Sequence, residues 1–361
     1  MRFGVFNIPF ALGYPSGRET AKDVIDWDIR ATVWADEYGL DEAYFAEHYT
    51  LGFEPSPAPD LMIAAASQVT SRITLGAAGH LLPYHNPIAL AHRMLWLDHM
   101  TGGRYIAGVA PGAYPSDAKL FGTGKNNPAM MIEALDVIEA VWTKEGPHRY
   151  EGEYYSVDIP EYDATIAGPH MRSRQSRIPI LMTGMQPTSP TLIEAGRRGF
   201  LPMSQSVSTH VWRRHWETYA ESARTAGHTP SRRDWRVVRN IIVADTDAEA
   251  REQALNGPSG QVSREHNLPN FIRLGLGPLL TEPEDGDVEL TPEWLVDNNA
   301  IVGSPETVAA KLRKLYERTG GFGTMVTPIH DYKHDPEPQR RSLELLGQVV
   351  APMLRDLEPE D

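Results

Sequence analysis

Thirteen histidines and no cysteine set the terms for the chemistry open to this chain. Without a thiol there is no disulfide, no thiolate metal site and no cysteine nucleophile. The pair with most chemical promise is Glu47-His48, inside the run EAYFAEHYTLG that spans 42–52. A histidine changes charge near neutral pH, and a neighbouring carboxylate can hold one tautomer of its ring. Together they suit acid and base work on a single proton. A surface Glu-His at a strand end is the plainer alternative. No HExxH motif exists, and His330 and His334 flank a loop without helical phase, so no metal is expected. GxSxG is absent as well, which leaves no elbow for a serine hydrolase.

Whatever positions that pair must be a strand, because residues 43–46 form an apolar run too short for a helix. Strands of this kind recur. We read them at 2–9, 43–46, 73–79, 105–109, 178–183, 200–203, 237–244 and 323–329. Between them fall stretches of helical period at 21–38, 60–69, 86–99, 129–142, 191–198, 210–224 and 305–318, with a last one at 342–354. Proline at position 87 suits a first helical turn. Eight alternating βα units predict a TIM (β/α)8 barrel, a single domain over 1–361 with insertions at about 143–177 and 256–299. The competing doubly wound sheet would carry GxGxxG after its first strand, and that pattern is absent.

In such a barrel, chemistry gathers just past the C-terminal end of each strand. The candidates there are Asn7, then Glu47 and His48, then Ala78, Gly79 and His80, then Ala110 and Gly112, and finally Thr183 and Gly184. Small residues at 76–79 and 108–112 let a flat ligand approach the backbone, although they also simply fit a crowded barrel top. Thr188, Ser189 and Thr191 precede a helix whose free N–H groups can receive phosphate, and an ordinary N-cap explains them equally. Arg172, Arg174 and Arg177 lie upstream and can add positive charge. Phe10, Tyr49, Phe53, His80, Tyr84, Tyr114 and Met185 suggest an apolar or aromatic substrate pocket. The formal charge of −14 speaks against nucleic acid and anionic membranes as partners. The N-terminus MRFGVFNIPF lacks the pattern of a signal peptide, and a cytoplasmic protein is expected.

From 47 to 122 the residues resemble the bacterial luciferase-like flavin monooxygenases. The likeness rests on Glu47-His48 after the second strand, a small-residue third strand and the Asn86-Pro87 helix start. LDHMTGGR before the fourth strand, PGAYPSDA after it, and IVGSPETVAAKLRKL near the C-terminus extend it. The RFGVF start, LPYHNP and GVAPGAYPSDA are similar to limonene 1,2-monooxygenase-like members. The resemblance implies reduced FMN supplied by a separate reductase, and O2 activated as a flavin hydroperoxide. It further implies a hydrophobic small-molecule substrate (terpene, ketone or aromatic) and a homodimer formed through helices. It makes His48 the catalytic residue with Glu47 beside it. Ala78-Gly79 matches a cis peptide or bulge under the flavin ring, and Ser189 with its neighbours matches the phosphate-binding helix start. Asn7, Ala110, Gly112, Thr183 and Gly184 complete the expected cofactor contacts. Where luciferases carry Cys-Arg after the fourth strand, this chain has Ala110-Pro111, so an arginine for the phosphate is missing. Two alternatives stay open: a deazaflavin-dependent hydride-transfer oxidoreductase, and a flavin-binding protein without turnover.

Overall fold

The computed structural model describes residues 1–163, 165 and 171–359. Eight parallel strands run β1 (Arg2–Asn7), β2 (Glu42–Phe45), β3 (Thr74–Ala77), β4 (Tyr105–Ala110), β5 (Ile180–Gly184), β6 (Leu201–Ser204), β7 (Arg236–Val238) and β8 (Thr324–Pro328). β8 pairs back onto β1, and β3 pairs with β4 through Leu75 and Tyr105, so the sheet closes without an edge. The helices that follow each strand are α1 (Ala21–Glu37), α2 (Pro59–Ser67), α3 (Pro87–Met100), α4 (Asn127–Thr143), α5 (Pro190–Arg198), α6 (Thr209–Thr225), α7 (Pro305–Thr319) and α8 (Glu337–Leu345). The expected TIM barrel is therefore borne out. Among the described residues no helix is long and apolar enough to cross a membrane.

Strand side chains alternate between lumen and helix layer. Phe6, Tyr44, Ala46, Ile106, Leu181, Met203, Val238 and Val326 form a compact apolar cluster inside the barrel, while Phe3, Val5, Leu75 and Tyr105 join the larger core under the helices. Below the inner cluster, buried Glu42 takes two hydrogen bonds from the Arg236 guanidinium (2.8 and 3.2 Å) and one from the Tyr44 hydroxyl at 2.7 Å. This pair closes the floor. At the other end, Ile8, Ala78, Ala110, Thr183, Asn240 and Pro328 are partly exposed although their chain neighbours toward the strand are buried. The barrel is thus plugged at the bottom and open at the top.

Two glycines set how closely β3 and β4 approach. A Cβ on Gly108 would lie 1.7 Å from the Ala77 carbonyl oxygen, and one on Gly79 would lie 2.7 Å from Val109 N. Their smallness serves strand packing first. The Ala78–Gly79 peptide is cis, and His80–Leu81 then resumes pairing with Val109 and Ala110.

Two parts differ from expectation. The seventh strand does not run through 237–244. It stops at Val238, and Ile241–Val243 peels away to pair in parallel with Ile301–Gly303. The break falls where Arg239 is buried outside the barrel, its guanidinium 4.2 Å from the Trp212 ring centre and bonded to the Val207 carbonyl at 2.6 Å. The second insertion, read as weakly periodic, folds into short helices that include Pro258–Val262, a π turn at Ser263–Asn267 and Leu268–Arg273. In the first insertion His148–Glu151 and Ser156–Ile159 form the expected hairpin; positions 164 and 166–170 lie outside the described residues.

Candidate active site

β2 ends at Phe45, and alternation continues past it: Ala46 faces the lumen, Glu47 the helix layer, His48 the mouth. The expected partnership of Glu47 with His48 is accordingly not formed. Glu47 is buried and gathers other donors. Its carboxylate accepts the Tyr49 hydroxyl at 2.6 Å, the Leu81 N–H at 3.0 Å and His85 Nε2 at 2.8 Å. The Arg93 guanidinium lies 3.3 Å from His85 Nδ1. Arginine only donates, so His85 Nδ1 accepts and its proton sits on Nε2, pointing at Glu47. His80 is wholly buried, bonded to the Tyr105 hydroxyl at 3.0 Å, and burial holds its pKa down at about 4.

Glu47, His80 and His85 offer ligand atoms that all lie within 4.8 Å of one another. Two imidazoles and a carboxylate are a chemically reasonable donor set for a transition metal. Here the carboxylate oxygens are already engaged by three donors, and a guanidinium stands beside the third ligand. The group is a hydrogen-bonded clasp joining the end of β2 to the segment before α3. His330 and His334 diverge: the first meets Asn240 Oδ1 at 2.8 Å, the second Glu19 Oε1 at 3.1 Å.

His48 has a different carboxylate. Its Nε2 lies 3.1 Å from Glu54 Oε2, brought back by the turn that also bonds His48 N to the Ser56 carbonyl at 2.9 Å. The other oxygen, Glu54 Oε1, meets His266 Nε2 at 2.7 Å. Tyr114 stands edge-on to the His48 ring, centroids 5.4 Å apart. At that ion-pair distance Glu54 can stabilise a positive charge on the His48 ring, while Nδ1 lies on the other side of the ring. That Nδ1 is buried and has no hydrogen-bond partner. Neither Glu54 nor His266 was singled out from the sequence. Glu54 was within reach, six residues on in a Gly/Pro loop; His266 sits in a stretch with no readable period.

The remaining candidates divide. Ala78, Ala110, Gly112, Thr183 and Met185 are partly exposed at or just past the ends of their strands. Phe53 tilts onto the His266 ring at 5.0 Å, and buried Phe10 meets the same ring edge-on. Asn7 does not face the mouth. It points outward, where its amide donates to Thr32 of α1 at 3.0 Å, because Phe6 and Ile8 occupy the inward register. Tyr49, His80 and Tyr84 likewise leave the expected substrate pocket. They follow Glu47 into the helix layer, where Tyr84 stacks on Phe121 with centroids 4.5 Å apart and Tyr49 packs across both.

At the α5 start, Ser189 is buried as the N-cap and bonds the Thr191 hydroxyl at 2.8 Å; Thr191 in turn donates to the Thr183 carbonyl at 2.5 Å. Gly184 lies beneath them, its missing Cβ 2.5 Å from Leu192. The exposed Thr188 hydroxyl and the first-turn N–H groups are what remain for an anion. Arg172 and Arg177 do not join them. They precede β5, at the opposite end of the barrel, where they pair with Glu145 at 2.9 Å and Glu139 at 3.2 Å.

A family profile described as luciferase-like monooxygenase matches residues 1–322. The chain belongs to this family. It is 36% identical to 3,6-diketocamphane 1,6-monooxygenase of Pseudomonas putida, over 93% of this chain and 94% of that one. To limonene 1,2-monooxygenase of Rhodococcus erythropolis it is 29% identical, over 99% of this chain and 88% of the other. A solved structure covers 100% of both chains with a TM-score of 0.93 at 34% identity. It is a type II Baeyer–Villiger monooxygenase, the oxygenating constituent of 3,6-diketocamphane monooxygenase from the CAM plasmid of P. putida, in complex with FMN. An F420-dependent secondary alcohol dehydrogenase matches at TM-score 0.69 and 17% identity, a likeness of fold alone.

Proposed function

We propose that this luciferase-like monooxygenase is the oxygenase of a two-component system, taking reduced FMN from a separate reductase and inserting one atom of O2 into a cyclic ketone of terpenoid size. The observation that carries this reading is the likeness over both whole chains to an FMN-bound Baeyer–Villiger oxygenase. Reduced FMN, when bound, supplies the electrons that activate O2.

The residues present fit such a guest. The mouth is lined by small or flat groups at Ala78, Ala110 and Thr183, and His48 Nδ1 has no protein partner. His48 would take or return one proton at Nδ1, while Glu54 stabilises the imidazolium that forms when it does. Tyr114, Phe53 and Met185 would exclude water and hold an apolar substrate. The phosphate would rest on Thr188 and the first turn of α5, with no arginine at 110–111. We place the protein in the cytoplasm, acting as a single-domain homodimer. Chemically reduced FMN and air, offered with cyclic ketones, terpene alkenes and aromatics, should give a product one oxygen atom heavier from a ketone. Rapid flavin reduction by NADH with the protein alone, or no oxygenated product from any member of the panel, would sink the reading.

A further inference from the structure

We propose that His266, delivered by the second insertion, is a positioning residue that acts on His48 through Glu54; this rests on the oxygenase reading above. Three separate segments converge here. His48 follows β2, Glu54 sits in the loop after it, and His266 lies in the π turn Ser263–Asn267 between β7 and β8. Buried Glu54 stands between two imidazoles, with Oε2 3.1 Å from His48 Nε2 and Oε1 2.7 Å from His266 Nε2. π turns are uncommon and often mark functional positions.

The hydrogens of this chain are assigned by its far end. The Asn270 side chain lies 3.2 Å from His266 Nδ1. With its amide donating there, Nδ1 accepts and the His266 proton must sit on Nε2, pointing at Glu54. Glu54 then receives the His266 N–H at Oε1, which holds the carboxylate in the rotamer that sets Oε2 at ion-pair distance from His48. His48 in turn has the Glu54 carboxylate on its Nε2 side and no partner at Nδ1. Phe53 and Phe10 fix the plane of the His266 ring, at 5.0 and 6.4 Å between centroids. Without His266, a buried carboxylate oxygen loses its donor, and Glu54 is free to leave His48. The insertion is thereby part of the site, although none of its residues needs to touch the flavin or the substrate.

Two variants separate this role from packing. His266→Phe keeps the ring and its aromatic neighbours but removes the N–H; His266→Gln restores a donor of similar reach. In single turnovers with reduced FMN, the Phe variant should form about 10- to 100-fold less product per flavin oxidised, the range one hydrogen bond to a charged group carries. Hydrogen peroxide should take up the difference, and the Gln variant should recover most of the yield. The binding constant for FMN should change less than about twofold, since no flavin contact is lost. A second readout needs no flavin: the imidazole 15N NMR signals of His48 in the free protein should shift in His266→Phe, as the carboxylate beside Nε2 leaves. An unchanged His48 signal or an unchanged yield in the Phe variant overturns the proposal. If the Phe variant does not fold, Asn270→Ala must show the same His48 shift at smaller size, and an unshifted signal there overturns it. A wild-type protein that makes no product refutes the oxygenase reading instead, while the NMR arm still decides the role of His266.

Discussion

Neighbours in sequence, Glu47 and His48 are predicted to fail differently when replaced. His48→Ala removes an imidazole at the mouth of the barrel whose Nδ1 has no hydrogen-bond partner. Product per reduced FMN should fall by about 10²–10⁴, the usual worth of a positioned proton-transfer group, with flavin binding and thermal midpoint little changed. Glu47→Ala instead strands the Tyr49 hydroxyl, the Leu81 N–H and the His85 ring, and should cost about 3 kcal/mol or more of stability. Denaturant unfolding and single-turnover yields on both variants check the contrast. If Glu47→Ala unfolds like wild type yet loses turnover, Glu47 belongs to the chemistry after all. The sequence marked the pair but not its division of labour. Alternation along a strand puts adjacent side chains on opposite faces, so Glu47 could not have served His48. The same rule, applied at Asn7, would have turned that residue toward α1 rather than the mouth.

At the scale of elements, strands and helices were legible because parallel barrel strands are apolar on both faces and their helices carry clear N-caps. Ser189, Ser208 and Ser304 each accept from a first-turn N–H. The seventh strand looks continuous in the sequence because 241–243 is as apolar as 237–238, and only the burial of Arg239 between them shows the chain leaving the sheet. The second insertion hid its helices for another reason: they are short, and fixed by contacts from outside rather than by their own period. The outer faces of α2 and α3 invite a further prediction. Ile63, Leu90 and Met94 are consumed by the molecule's own core, but Leu61 is 69% exposed, Trp96 61% and Met100 36%. Trp96 and Met100 are one turn apart on the same face of α3. Apolar surface of that kind on paired helices suits a second copy of the chain. Sedimentation at micromolar concentration should find a dimer, and Trp96→Asp should yield a folded monomer. A monomeric wild type rules this out.

The whole molecule should register pH through four buried groups in opposite senses. His80, His215 and His330 are each held at about pKa 4, below their usual 6.5, chiefly by burial. Between pH 4 and 6.5 the unfolded chain binds three protons there that the folded chain refuses. Their contribution is complete above pH 6.5 and is lost as pH falls toward 4. Asp28, buried in α1, is pushed up to about 8 from 3.8, again by burial, with Asp331 adding to the rise and Lys333 opposing it. It keeps a proton when folded that it releases when unfolded, so its contribution is complete below pH 4 and fades as pH rises to 8. From pH 4 to 6.5 the balance is 3 − 1 = 2 protons, and stability should climb by roughly 2.7 kcal/mol per pH unit. Above 6.5 Asp28 pulls stability down, and the N-terminal ammonium, held below its usual value by burial, partly opposes it just under pH 8. Thermal midpoints should therefore peak near pH 6.5. Asp28→Asn separates the two senses, because an amide resembles the protonated carboxyl and cannot ionise. It should match wild type near pH 4 and pull ahead by up to about 1.4 kcal/mol per pH unit toward pH 8. Parallel curves for the two proteins from pH 5 to 8 would mean that Asp28 is ionised in the fold, with Lys333 outweighing its burial.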